Sequence, residues 1–157
     1  MDVVDNTALR FRVRDPSKFK IIPKHHVTQV HGGYEVMVYW GLDEARVLKN
    51  LGFKDIPSPI ERKYNWPGRY KPMAHQKTTA GFLTMHRRAF CFNEQGTGKT
   101  SSVIWAADYL MKLGHVRRCL ILCPLSIMDD AWVSSIGKSI IHRSVIAAHH
   151  SQASRRI

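Results

Sequence analysis

Acidic residues are scarce in this chain: 12 Asp plus Glu stand against 24 Lys plus Arg, a formal net charge of +12 over 157 residues. That balance disfavours cationic partners and makes polyanions the favoured ones. Cysteine is scarcer still. Cys91, Cys119 and Cys123 lie in short apolar runs without the paired spacing of zinc sites, so the sequence predicts reduced core thiols. No stretch of about eighteen consecutive apolar residues occurs, which argues against a membrane-spanning helix. The opening Met-Asp-Val-Val-Asp carries no basic-then-apolar leader, so an intracellular protein is expected, cytoplasmic or nucleoid-associated. The length suits one domain, or a small module plus part of a larger one, and is too short for a two-lobed nucleotidase core.

What the chain does contain is a stretch suited to holding phosphates, Phe92-Asn93-Glu94-Gln95-Gly96-Thr97-Gly98-Lys99-Thr100. Ala89 to Phe92 is an apolar run of the kind found in buried parallel strands, and a helical pattern opens at Thr100. Between them Gly96 and Gly98 permit positive φ, so that backbone amides and a helix N-terminus face an oxyanion. Lys99 would reach the β- and γ-phosphates, and the Thr100 hydroxyl would hold Mg²⁺. These two are the candidate catalytic residues, and Glu94 through Thr100 form the candidate ATP-binding loop. The longer phosphate-loop pattern begins with glycine where this chain has Asn93.

The compact form, G-x-G-K-T after a strand, resembles that of superfamily-two helicases, and Asn93 to Thr100 closely resembles the D-E-M-G-x-G-K-T signature of Swi/Snf-type DNA translocases. Tyr70 to Gln76 is similar to the segment that carries the adenine-reading glutamine in superfamily-two helicases. Independently of family, the amide of Gln76 can accept from adenine N6 and donate to N7. Cys123-Pro124-Leu125-Ser126 followed by Trp132 resembles the family motif that touches the DNA backbone, which makes Pro124 and Ser126 candidate nucleic-acid contacts. His149 to Arg156 resembles the next segment of the same family. The resemblance spans residues 70–156 and implies ATP and Mg²⁺ as cofactors, nucleic acid as partner, most simply DNA, and the rest of a helicase core on this or another chain. The acidic D-E box and the second-lobe arginines of such enzymes have no counterpart here, and the missing arginine alone is worth a factor of roughly 10³–10⁵ in rate. The resemblance therefore implies the ATP-binding amino-terminal part of a helicase or translocase, inactive in hydrolysis by itself. Two other readings stay open: a non-catalytic nucleic-acid-binding protein whose loop merely holds nucleotide, and a small P-loop kinase, which no arginine-rich lid supports.

Apolar periodicity after the loop predicts a helix over Val103 to Leu113 ended by Gly114, a buried strand at Cys119 to Cys123, a capped helix from Ser126, and a third strand at Ser144 to Ala148. The expected fold class is α/β: a partial RecA-like lobe with a parallel sheet over residues 72–157, preceded by a small α+β module. In that module, over residues 1–52, Leu9, Phe11 and Val13 alternate with Arg10, Arg12 and Arg14, a half-buried strand with an arginine stripe that is a candidate nucleic-acid surface. A second short strand is predicted at Phe19 to Ile22, a hairpin loop at His31-Gly32-Gly33, and a helix from Leu42 stopped by Gly52. Asp43-Glu44-Ala45-Arg46 is read as a helix start and not as a Mg²⁺ box. His25, His26 and His31 are read as surface histidines. Residues 53–71, with prolines at 57, 59 and 67, form a linker whose interleaved basic and aromatic residues, Arg62 to Lys71, suit either base stacking or anchorage onto the core.

Overall fold

In the computed structural model, which describes residues 1–148, the first forty residues build a four-stranded antiparallel sheet. Its strands are β1 (Asp2–Val4), β2 (Ala8–Val13), β3 (His25–Val30) and β4 (Gly33–Tyr39), in the order β1-β2-β4-β3. The register sets Leu9 opposite Val38 and Phe11 opposite Val36, so the alternation buries these four on one face. Arg10 and Arg12 fall on the other face, opposite Met37 and Glu35. The β3–β4 hairpin turns at His31-Gly32, where Gly32 has φ +82°, a value its missing Cβ allows.

The strand predicted at Phe19 to Ile22 is instead a 3₁₀ turn, Ser17–Ile21. Asp15 accepts from the amide and hydroxyl of Ser17 at 2.9 and 2.7 Å, which starts the turn. Phe19 and Ile22, three apart, are then buried together, as a three-residue period requires and a two-residue period forbids. Helix α1 (Leu42–Asn50) lays Leu42, Ala45 and Leu48 into the same core and stops before Gly52 at φ +89°. Phe11, Phe19 and Phe53 meet there with ring centroids 5.1–5.2 Å apart.

Residues 53–71 do not behave as a free linker. They contain a short helix, α2 (Ile60–Lys63), and Ser58, Ile60 and Tyr64 are buried. Helix α3 (Ala74–Met85) begins two residues after Pro72, and α4 (Lys99–Lys112) packs along it. The aromatics of the basic run serve as anchors: Tyr64 stacks edgewise on Trp66 and Tyr109, and Trp66 on Trp105, at 5.2–5.7 Å. The Trp105 indole donates to the carbonyls of Pro67 and Ser139. Beyond α4 come α5 (Leu125–Ile127), a π-helical turn over Met128–Val133, and α6 (Ser134–Ser139).

Among the described residues the parallel sheet of a RecA-like lobe is not present. All pairing among the described residues is antiparallel and belongs to β1–β4, while Ala89 to Phe92, Cys119 to Cys123 and Ser144 to Ala148 run outside any strand. Most of their apolar side chains are left out of the core, with Phe92 88% and Leu122 86% exposed, while Ile121 packs against it; Cys119 is exposed and Cys91 and Cys123 are only partly buried, not core thiols. An apolar run names a segment that can be buried. It does not supply the neighbouring strand and the two covering layers that a buried parallel strand needs. The helix predicted to be capped by Ser126 starts earlier, with Pro124 preceding Leu125 and no side-chain cap. The segment His149 to Arg156 lies outside the described residues, among which no helix is long and apolar enough to cross a membrane.

Asp108, on α4, joins the pieces. Its side chain is 1% exposed and accepts from Tyr64 Oη at 2.6 Å, His142 Nε2 at 3.0 Å and Arg143 Nε at 2.6 Å. Burial pushes this carboxyl up, but the three hydrogen bonds outweigh it and hold it below the usual aspartate value; burial first, and then Asp108, raise the Tyr64 phenol. Because the folded value is depressed, the stabilisation is complete above the unfolded pKa of about 4 and is lost as pH falls through the folded one. Asp108→Ala should cost about 3–5 kcal/mol, since it strands Arg143 beside a buried hole. Urea melts at pH 7 and pH 3 check this: the wild-type advantage over the variant should shrink at the lower pH.

Candidate functional site

Helix α4 begins at the glycine-rich loop, and the loop's conformation depends on its two glycines. Gly96 and Gly98 have φ +77° and +71°. A Cβ on Gly96 would meet nothing within 4 Å, so that position needs glycine for its backbone angle alone. At Gly98, the residue preceding α4, the backbone angle requires glycine, and a Cβ would stand 2.1 Å from Gln76 Nε2 and push that flexible amide aside. The opening amides of α4 have no partner within the helix and carry its positive dipole end, which makes a cradle for an anion.

The loop is tied to α3 by three side chains. Gln76 Nε2 donates to the Thr97 carbonyl at 3.4 Å, His75 Nε2 bonds the same carbonyl at 3.0 Å, and Asn93 Nδ2 donates to Thr79 Oγ1 at 2.9 Å. Within the loop the Thr97 hydroxyl donates to Glu94 O at 2.8 Å. Lys99 Nζ donates to the carbonyls of Asn93 and Glu94 at 2.6 and 2.8 Å, which holds the ammonium across the loop. Thr100 comes next in the first turn of α4, half-buried, and its hydroxyl makes no hydrogen bond among the described residues. The side chains of Glu94 and Gln95 are exposed at the loop's tip.

The structure therefore gathers Gln76, Asn93, Gly96, Thr97, Gly98, Lys99 and Thr100. Gln76 is not free as it stands: its Oε1 accepts from the Met73 amide at 2.9 Å. Beside it a cavity of about 430 Å³ is lined by Tyr70, Lys71, Gln76, Ser101 and Ser139, among others. His75 and Thr79 carry no motif that singles them out in the sequence. Their position one helical turn apart on α3 is the signal that puts both against the loop. Among the described residues no acidic side chain is bonded to Thr100 and no arginine to the loop.

The predicted nucleic-acid contacts do not join this site. Pro124 and Ser126 are exposed at the start of a three-residue helix, too short to present an organised amide terminus. Arg10 and Arg12 lie on the outer face of the sheet, where Arg10 pairs with Asp2 at 3.2 Å and Arg12, 80% exposed, with Glu35 at 3.9 Å; Arg14 lies just past the strand end. Asp43 is committed to Arg46 and His115, and Glu44 is buried, in keeping with a helix start. No protein-family model, no curated protein and no solved structure matches this chain.

Gly98→Ala should lower stability by about 1–2 kcal/mol through its left-handed angle, and should also displace Gln76. Gly96→Ala carries the first cost alone. Chemical melts of the two variants should therefore rank Gly98→Ala as the more damaging.

Proposed function

We propose that the loop at residues 93–100 binds ATP with Mg²⁺ and that the chain is the ATP-binding portion of a nucleic-acid-dependent ATPase, a helicase or duplex-DNA translocase. The observation that carries this reading is the cradle itself: two left-handed glycines, a 14-residue helix starting at the second of them, and Lys99 and Thr100 in its first turn. The open space over Gly96 fits an approaching phosphate. Lys99 would exchange two loop carbonyls for the β- and γ-phosphate oxygens, stronger acceptors for an ammonium. Thr100 would hold Mg²⁺, which in phosphate sites takes most of its ligands from phosphate and water and needs no carboxylate cage. Bound Mg²⁺ would supply charge neutralisation at the phosphates. Gln76 lies beside both the loop and the 430 Å³ cavity, which supports its role as the adenine reader once its bond to Met73 is exchanged.

With no carboxylate on Thr100 and no arginine on the loop among the described residues, the site holds nucleotide without turning it over appreciably. Lys99→Ala should weaken ATP-Mg²⁺ binding by roughly 10- to 100-fold, the equivalent of about 1.5–3 kcal/mol for charge-assisted hydrogen bonds. A calorimetric titration checks it, and an unchanged Kd would remove the loop from the nucleotide site. DNA-stimulated steady-state hydrolysis abolished by Lys99→Ala would overturn the statement about turnover. Gln76→Ala should narrow the preference for ATP over GTP in the same titration.

The outer sheet face supports a nucleic-acid partner. Exposed pairs such as Arg10–Asp2 and Arg12–Glu35 are worth little, so their arginines can exchange carboxylate for phosphate at small cost. Replacing Arg10, Arg12 and Arg14 by alanine in the full chain should weaken DNA binding and flatten its salt dependence by about 0.9 in log-log slope for each duplex phosphate no longer neutralised. Binding to neither duplex nor single-stranded DNA or RNA in the wild-type chain would exclude this partner class.

A further inference from the structure

Among the described residues, a cluster of arginines without ion-pair partners lies not on the sheet but at the far end of the nucleotide-site helices. Helix α4 has 14 residues, so its C-terminal end lies roughly 20 Å from the phosphate loop at ~1.5 Å per residue. Helix α3 starts beside that loop and packs along α4, so both helices finish at this distant end. There α1 ties them together. Arg46 donates to the Thr84 carbonyl at 3.1 and 2.6 Å, Lys49 Nζ lies 2.6 Å from His86 Nε2, and Asp43 sits 4.0 Å from Arg46 and 3.9 Å from His115.

Immediately beyond these ties come Arg87 and Arg88 on one side, and Arg117 and Arg118 on the other. All four are exposed, and none has an ion-pair partner among the described residues. Lys112 ends α4 next to them, and Lys49 is spent on an imidazole, not a carboxylate. Asp43, the carboxylate at the junction, already faces both the Arg46 guanidinium and the His115 imidazole. Stabilisation of helix C-termini accounts for Lys112 in the last turn, but that effect fades within a turn and does not reach the arginine pairs.

We propose that this rim, Arg87, Arg88, Arg117 and Arg118 flanked by Lys49 and Lys112, is a second nucleic-acid surface that grips the phosphate backbone without reading bases. Four guanidinium forks suit bidentate phosphate contacts, and the rim carries like charge from two separate chain segments converging on one end of the molecule. The inference rests on the nucleic-acid reading above but not on nucleotide binding. A strand held here would lie away from the phosphate loop.

The test is duplex DNA binding by the full chain across a salt series of about 50–200 mM. The double variants Arg87→Ala/Arg88→Ala and Arg117→Ala/Arg118→Ala should each weaken binding several-fold and lower the log-log salt slope by about 2, a step of roughly 0.9 for each phosphate set free. Arg→Lys replacements at the same positions should keep most of the slope. In the wild-type chain, DNA should protect Lys49 and Lys112 from acetylation, a readout that needs no variant to fold. Unchanged slopes in folded alanine variants, or no protection of either lysine, would overturn the proposal. So would binding to anionic phospholipid vesicles with none to DNA. Loss of slope in the Arg10, Arg12, Arg14 variant alone would overturn the rim and leave the proposed function standing. Loss of ATP binding in Lys99→Ala with DNA binding intact is expected.

Discussion

A buried aspartate sets the arrangement of everything around it. Asp108 has lost its water, and such a carboxylate is tolerated only where donors replace the lost solvation. The three donors come from separate parts of the chain: Tyr64 from the segment after the sheet, and His142 and Arg143 from the turn after α6. The middle of α4 is thereby fixed to chain segments on both sides of it in sequence. The start of that same helix carries the glycine-rich loop, so a constraint at Asp108 also determines where the loop's amides point. The edgewise contacts of Tyr64 with Trp66 and Tyr109, and of Trp66 with Trp105, flank this bond network on its tyrosine side, while His142 and Arg143 reach toward the surface.

The loop is held from a second direction by α3. Gln76, His75 and Thr79 all face it, and the 2.1 Å approach of Gln76 Nε2 to the place of a Gly98 Cβ means that the Gln76 amide keeps this position only beside a glycine. A phosphate cradle requires amides aimed at a point before the ligand arrives, because flexible amides would lose ordering entropy on binding. Two anchored helices and two left-handed glycines hold the loop's amides in place in this way. The same packing brings the C-terminal ends of α3 and α4 together at α1, so the electrostatics at the two ends of the helix pair differ in kind: backbone amides and a single ammonium at one end, a crowd of guanidinium groups at the other.

Much of this is legible in the chain. The alternation of Leu9, Phe11 and Val13 with three arginines sets both the strand and its faces, and His31-Gly32-Gly33 marks the hairpin because few residues besides glycine accept its turn angles. The Leu42, Ala45, Leu48 spacing marks α1, and Gly96, Gly98, Lys99 and Thr100 mark the loop and helix start. These features rest on interactions within a few residues, which periodicity and turn chemistry record directly. The turn at Phe19 reads as a strand because two apolar residues three apart resemble a short alternating run until Asp15 is seen starting a 3₁₀ turn.

What only the tertiary structure decided is which segments find partners. Ala89 to Phe92, Cys119 to Cys123 and Ser144 to Ala148 have the composition of buried strands, yet no ladder forms among them, and most of their apolar side chains stay exposed. Composition states that a segment would gain by burial, whereas burial itself depends on a neighbouring strand at hydrogen-bonding distance and a layer on each face, neither of which is a local property. The reverse happens with Tyr64 and Trp66, written into a proline-rich stretch that reads as linker and then drawn into the core by a carboxylate some forty residues away. Sequence by itself determined the local elements and the glycine-rich turn that opens α4. The pairing of distant groups, Asp108 with its three donors, required the folded chain, because Coulomb and hydrogen-bond energies depend on distance in space and not along the backbone.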